Sequence, residues 1–255
     1  MQPDSWQNLR ELTAARIALG RTGTAIPLRE TLRMKLAHAF ARDAVYSTID
    51  HEHLKKGLEA HLLPIVELRS KVATRREYLQ RPDLGRGLSD QSAKDLAELA
   101  TKEFDISIVL ADGLSATAVN MHAVPVLNFL IQLLRAAKFS IAPICIASEA
   151  RVAIADEIGS LLKARLSLIL IGERPGLTAP HSMGAYITYQ PKLGLTDESR
   201  NCISNIRPEG LGYMMAAQKI NYLVQESLKY LLSGVSLKEN HNGQPVYLLK
   251  QNTTE

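Results

Sequence analysis

Three short polar stretches hold most of the side chains that could act together on a ligand. They are Asp112-Gly113-Leu114-Ser115, Ser148-Glu149-Ala150-Arg151-Val152 and Gly172-Glu173-Arg174-Pro175-Gly176. Their carboxylates, hydroxyls and guanidinium groups suit a polar ligand held by charge and hydrogen bonds. Residues 201–205 add the thiol of Cys202. A nucleophilic role for Cys202, with His181 as base, stands beside the plainer reading of a small buried residue. Glu173 and Arg174 read equally as a structural ion pair and as ligand contacts, and Asp112 beside Gly113 also fits turn chemistry. Gly113-Leu114-Ser115-Ala116-Thr117 begins like a nucleophile elbow but lacks the second glycine, and the downstream histidines stand in no triad context. A serine hydrolase is not expected.

Each polar stretch follows an apolar run that positions it. Residues 166–171, Leu-Ser-Leu-Ile-Leu-Ile, form a short aliphatic run cut off at Gly172, the pattern of a strand buried on both faces. Residues 106–110 and 141–147 read as two more strands. Between them lies an apolar-faced helix over 116–138, with Pro125 kinking or restarting it. A second helix is expected over 152–163. Strand–helix–strand–helix–strand connections of this length predict right-handed crossovers and a parallel sheet. All three polar stretches then fall at the carboxyl ends of strands, where open α/β sheets bind ligands. No Gly-x-Gly-x-x-Gly follows a strand and no Walker A sequence occurs, which argues against a nicotinamide dehydrogenase or an NTPase.

Further strands are expected over 185–189 and 201–206, and a final helix over 210–232. Upstream, Leu28, Leu32, Leu36, Ala39, Phe40 and Val45 recur at helical spacing behind Pro27, predicting a helix over 28–46. Its Arg29, Arg33, Lys35, Arg42 and Asp43 read as a solvated outer face. Residues 54–63 and 88–104 also look helical, and 78–87 reads as an ordered loop. In Asp50-His51-Glu52-His53 the two histidines are two apart, a spacing that does not share a helix face, so no metal site is expected. The fold class is α/β: a doubly wound, mainly parallel sheet over 101–233, preceded by a helical region over 1–100 and followed by a polar tail over 234–255.

Composition sets the outer bounds. The 255 residues are 46% hydrophobic and 22% charged, enough to bury a core. A net charge of +4 with no run of five like charges gives little support to nucleic-acid binding. Two cysteines, with no Cys-x-x-Cys, argue against a disulfide scaffold or a zinc ribbon. No 18-residue apolar span and no signal peptide are expected, so the reading is a soluble protein inside the cell, away from membranes.

At Gly172-Glu173-Arg174-Pro175-Gly176-Leu177 the chain resembles the small (light) subunit of ethanolamine ammonia-lyase. The likeness extends in order through Ala15-Arg16-Ile17-Ala18-Leu19-Gly20-Arg21-Thr22-Gly23, Leu36-Ala37-His38-Ala39-Phe40-Ala41-Arg42-Asp43-Ala44-Val45 and Tyr78-Leu79-Gln80-Arg81-Pro82-Asp83-Leu84-Gly85-Arg86. Asp112-Gly113-Leu114-Ser115, Arg151-Val152 and Cys202-Ile203-Ser204-Asn205-Ile206 continue it, so that residues 10 to 232 are covered.

The resemblance implies a Rossmann-like subunit of an adenosylcobalamin-dependent lyase that converts ethanolamine to acetaldehyde and ammonia. The substrate pocket would belong to a large barrel subunit, with the small subunit closing over the corrin in a hetero-oligomer. Carried over by position, the cobalamin contacts fall on Val152, Glu173 and Cys202. Val152 would cover apolar corrin edge, Glu173 would accept from corrin amides, and Cys202 would permit close approach. Asp112, Ser115, Arg151 and Arg174 are supporting candidates, and no catalytic or metal-ligating residue is assigned to this chain. Mutases that place a protein histidine on cobalt use Asp-x-His-x-x-Gly, whereas here Glu52 follows at the histidine position, as expected where the cofactor keeps its own base. Some members carry a longer N-terminal extension associated with a bacterial microcompartment. This chain begins near the core, so the cytoplasm is the expected location and a microcompartment the second. Residues 178–183 depart from the family's loop pattern. A non-catalytic Rossmann-like sensor of a small ligand is the alternative.

Overall fold

The computed structural model describes residues 4, 6–99, 102–238 and 246–247. A 3-10 turn (Gln7–Glu11) leads to α1 (Leu28–Tyr46), α2 (His51–Leu58), β1 (Ile65–Arg69), α3 (Arg75–Gln80) and α4 (Asp90–Leu99). The sheet continues with β2 (Phe104–Ala111), α5 (Ala116–Ala136), β3 (Ile144–Ser148), α6 (Ile154–Leu161) and β4 (Ala164–Gly172). Then come β5 (Met183–Tyr189), β6 (Arg200–Ile206) and α7 (Tyr213–Tyr230), with a small pair β7 (Leu237–Lys238) and β8 (Val246–Tyr247). Most of the expected polar tail lies outside the described residues.

The six main strands form one sheet in the order β1-β3-β2-β4-β5-β6. β1, β3, β2 and β4 are parallel, but β5 runs antiparallel to both β4 and β6. The expected mainly parallel sheet is therefore a mixed one. The cause is connection length: residues 173–182 and 190–199 are too short for the dozen-residue crossover that a parallel return requires. β1 was not anticipated at all. It is a half-exposed edge strand, and its pairing with β3 brings residues from before position 100 into the same sheet.

Alternation along the strands divides the core. Ile108, Leu110, Ile146, Leu168 and Leu170 face one layer, built from α2, α5 and α7. Val109, Ala111, Cys145, Ile169 and Ile171 face the other, built from α4 and α6. α5 runs unbroken through Pro125, because buried residues on both sides of the proline, Val119 and Ala123 before it and Val126 and Leu130 after it, hold the helix against the sheet. Its 21 residues also overturn the expectation of no long apolar span, with a mean hydropathy of 1.4 over 18 residues. Half of that window is buried inside the fold, as in a core helix.

α1 has the expected bounds and the opposite orientation. Leu28, Leu32, Leu36 and Phe40 face outward, and the buried residues are Glu30, Ala37 and Ala44. Two alanines let the helix lie close to the body. Glu30 is compensated by Arg10, Arg29 and Arg33, all within 4 Å of its Oε1.

Candidate functional site

Parallel β2, β3 and β4 end on one rim, and Asp112 follows β2 directly. Its buried carboxylate accepts the backbone N–H groups of Glu149 (2.8 Å) and Ala150 (2.9 Å). Arg75 Nη1 stands 3.3 Å from Asp112 and 2.9 Å from Glu149 Oε2, while Nη2 donates to the Gly113 carbonyl at 2.9 Å. The Tyr78 ring has Arg75 at 4.6 Å and Arg151 at 4.2 Å from its centroid, and its hydroxyl donates to the Ala150 carbonyl. Burial pushes the Asp112 carboxyl up to about 6, against the opposing pull of its Ala150 hydrogen bond and of Arg75. Asp112 and Arg151 thus close the rim from within. Ser115, fully buried, donates to the Pro180 carbonyl and belongs to the same framework.

Next to this knot is a cleft of about 280 Å³ between Thr48, His51, Arg69, Thr74 and Ser148. His51 Nε2 is 2.9 Å from Ser148 Oγ, and Nδ1 is 3.2 Å from Glu67 Oε2. That row resembles a hydrolytic triad. The backbone N–H groups of Glu149 and Ala150 are taken by Asp112 and that of Arg151 by the Gly85 carbonyl, so the turn after Ser148 offers no amide pair to an oxyanion. Asp50 caps α2 by accepting from the His53 N–H at 3.0 Å. Among the described residues no cluster of three His, Cys, Asp or Glu could hold a metal ion.

The other end of the rim carries the residues expected to contact a ligand. Glu173 follows β4 and accepts from Ser182 Oγ and from the Asn205 N–H at 3.3 and 3.4 Å. Arg174 stands exposed without a hydrogen-bond partner among the described residues, so the alternative of a Glu173–Arg174 ion pair is not realised. Cys202 is exposed on β6, directly opposite Tyr186 of β5. Burial raises the Tyr186 phenol, with Cys202 and Glu173 adding to the effect, which keeps it protonated and able to donate. Glu173, Tyr186 and Cys202 therefore form one neighbourhood. The backbone carbonyl of His181, the candidate base for Cys202, accepts from His122, whose other ring nitrogen meets the Tyr213 hydroxyl, and the His181 Nδ1 is buried with no hydrogen-bond partner among the described residues.

Val152 sits in the turn before α6, half-buried, against the same apolar layer as Tyr186. One turn later, buried Asp156 pairs with Arg200 of β6, two residues from Cys202. This ion pair fixes the start of α6 relative to β6. The residues not singled out as contacts in the sequence are Ser182, Gly184, Tyr186 and Asn205. Asn205 lay within the 201–205 stretch expected at the rim, and Tyr186 stood as an aromatic in an alternating strand.

A family model of the ethanolamine ammonia-lyase light chain matches residues 3–238. The chain is similar to the ethanolamine ammonia-lyase small subunit of Pseudomonas fluorescens (strain Pf0-1), 52% identical over 92% of this chain and 86% of the relative. It is similar to the Azotobacter vinelandii small subunit at 52% identity, over 92% of this chain and 88% of that one. The Pseudomonas syringae pv. tomato small subunit is 51% identical, over 92% and 83% respectively.

Proposed function

The chain belongs to the ethanolamine ammonia-lyase light-chain family, and we propose that it acts as the small subunit of an adenosylcobalamin-dependent enzyme converting ethanolamine to acetaldehyde and ammonia. The Glu173–Tyr186–Cys202 neighbourhood carries this reading: a carboxylate, a phenol and a thiol gathered on one polar face at the strand ends. Such a face suits an enzyme whose cofactor supplies the radical chemistry while protein supplies placement and exclusion of water.

The residues fit a corrin with amide side chains. Glu173 receives donors from Ser182 and Asn205, which leaves capacity among its roughly four acceptor positions for a ligand amide. Gly184 keeps the space beside that carboxylate open, since a Cβ there would stand 3.1 Å from Oε1. Cys202 offers a small exposed side chain, and Val152 an apolar one at the start of α6. We assign cobalamin contact to Val152, Glu173 and Cys202, and read the four parallel strands as the Rossmann-like part of the fold. The 1–100 region is assigned to partner contacts and 101–233 to the cofactor, with the substrate pocket on a large subunit. Location in the cytoplasm, with a microcompartment as the second possibility, belongs to the same proposal.

The test combines this chain, a purified large subunit and adenosylcobalamin, and follows ethanolamine-dependent acetaldehyde release. Activity only with all three components is the expected result. A well-formed complex that releases no acetaldehyde would remove the assignment.

A further inference from the structure

α1 turns its apolar side away from the body of the protein. Leu28 is 73% exposed, Leu32 and Leu36 54% each, and Phe40 51%. At about 100° per residue, this i, i+4 series forms an oblique stripe covering about 120° of the helix surface. On the same geometry Lys35 and Arg42 run along one edge of the stripe, and Arg29 and Arg33 along the other. The patch is not an isolated accident. Among the described residues, ten of the nineteen large apolar side chains left exposed lie between Trp6 and Tyr46. Four aliphatic and aromatic side chains more than half exposed on one helix make a patch on the order of a few hundred Å², the range in which surface patches mark interaction sites.

Two observations identify the occupant. The curated relatives are named small subunits, so the enzyme they belong to also contains a larger one. The stripe is also edged by four basic side chains, of which Arg29 and Arg33 pair with the buried Glu30 while Lys35 and Arg42 have no acid on them among the described residues, and its own helix offers only Asp43 as an exposed acid. A second copy of this chain packing α1 on α1 would bring like charges together. We propose that the outward face of α1 docks on the large subunit, in an apolar groove with acidic rims. The proposal rests on the small-subunit reading and adds where the two chains meet. An apolar centre with a charged edge is the usual anatomy of a specific interface.

The experiment uses the full chain and the purified large subunit, and measures association by analytical ultracentrifugation. Leu32→Glu/Leu36→Glu is expected to weaken association at least 100-fold while circular dichroism and Tm stay unchanged, because neither side chain is in the core. Lys35→Glu/Arg42→Glu should weaken it too, and should flatten its dependence on salt. Leu193→Glu, an exposed leucine elsewhere, should bind as wild type. Should the double glutamate variant lose its fold, Leu28→Ser/Leu32→Ser takes its place. Wild-type affinity in the folded stripe variants overturns the proposal while leaving the small-subunit reading intact. A self-associating chain whose dimer breaks in these variants, with large-subunit binding unaffected, overturns it in favour of a second copy. Failure of the wild-type chain to bind the large subunit at all removes the small-subunit reading itself, and the proposal with it.

Discussion

Arg75 Nη1 lies 3.3 Å from Asp112 Oδ2, and the Nε of the same guanidinium donates to the Val45 carbonyl at 2.7 Å. Asp112 directly follows β2, and Val45 lies in the last turn of α1. One side chain therefore joins the outlying helix to the rim of the sheet, and it also satisfies Glu149 and the Gly113 carbonyl. A docking event on α1 and a ligand on the rim would share this joint.

Replacing Arg75 with Met should cost about 3–5 kcal/mol, because it leaves Asp112 and Glu149 facing each other without their cation. Arg75→Lys should recover less than half of the loss, since an ammonium group cannot span four acceptors in this fork. Urea denaturation of the two variants against wild type reads both numbers. A loss under about 1 kcal/mol for Arg75→Met would show that the joint is dispensable.

The pH dependence of stability carries the signature of Asp112. Its carboxyl rises from 3.8 to about 6 on folding, so the folded state binds the proton more tightly than the unfolded one. The resulting stabilisation is complete below pH 3.8 and is lost as pH rises through about 6. Across that window Asp112 should remove about 3 kcal/mol of unfolding free energy. Asp112→Asn keeps an acceptor oxygen for only one of the two backbone N–H groups and has no carboxyl to titrate, so it should lack this slope. Denaturation at pH 4, 5, 6 and 7, taken as the difference between the two proteins, isolates the effect. Parallel curves would remove Asp112 as its source.

Gly172 and Gly113 interlock where β4 and β2 end. Leu114 N–H donates to the Gly172 carbonyl at 3.0 Å, and Gly113 has a φ of +54°. A Cβ on Gly172 would collide with the carbonyl oxygens of Ser115 and Asp112. Gly172→Ala should therefore cost about 3 kcal/mol or more, through displaced backbone. Gly176→Ala is the comparison, since its Cβ would meet nothing nearer than 3.7 Å. Thermal melts that shift equally for both would contradict the interlock.

What the sequence disclosed follows from how each feature is encoded. The aliphatic run cut at Gly172 announces a buried strand and its exit point, so Glu173 was legible. α1 was legible in its bounds but not in its facing. Helical periodicity records which side avoids water, and it is silent on whether this chain or another provides the cover. β1 escaped because Ile65–Arg69 is a half-exposed edge strand with weak alternation. The antiparallel turn of β5 was encoded in the ten residues between Gly172 and Met183, a length that excludes a crossover helix. The Tyr186–Cys202 pairing depends on that reversal and on the β5–β6 register, and a single chain segment cannot reveal it.

Glu173→Gln tests the proposed cofactor face in the assembled complex. The carboxylate accepts both the Asn205 N–H and the Ser182 hydroxyl, so the amide of glutamine must turn a donor toward one of them or toward the ligand. Either choice leaves a mismatched pair, and adenosylcobalamin should bind about 1–3 kcal/mol more weakly. Arg174→Gln, next along the chain but exposed and unpaired among the described residues, should change affinity far less. Equilibrium dialysis of the cofactor against both complexes measures the contrast. Equal losses would point to general electrostatics of the rim rather than to a direct Glu173 contact. A loss confined to Glu173→Gln would place the ligand amide at that carboxylate, beside the space that Gly184 leaves open.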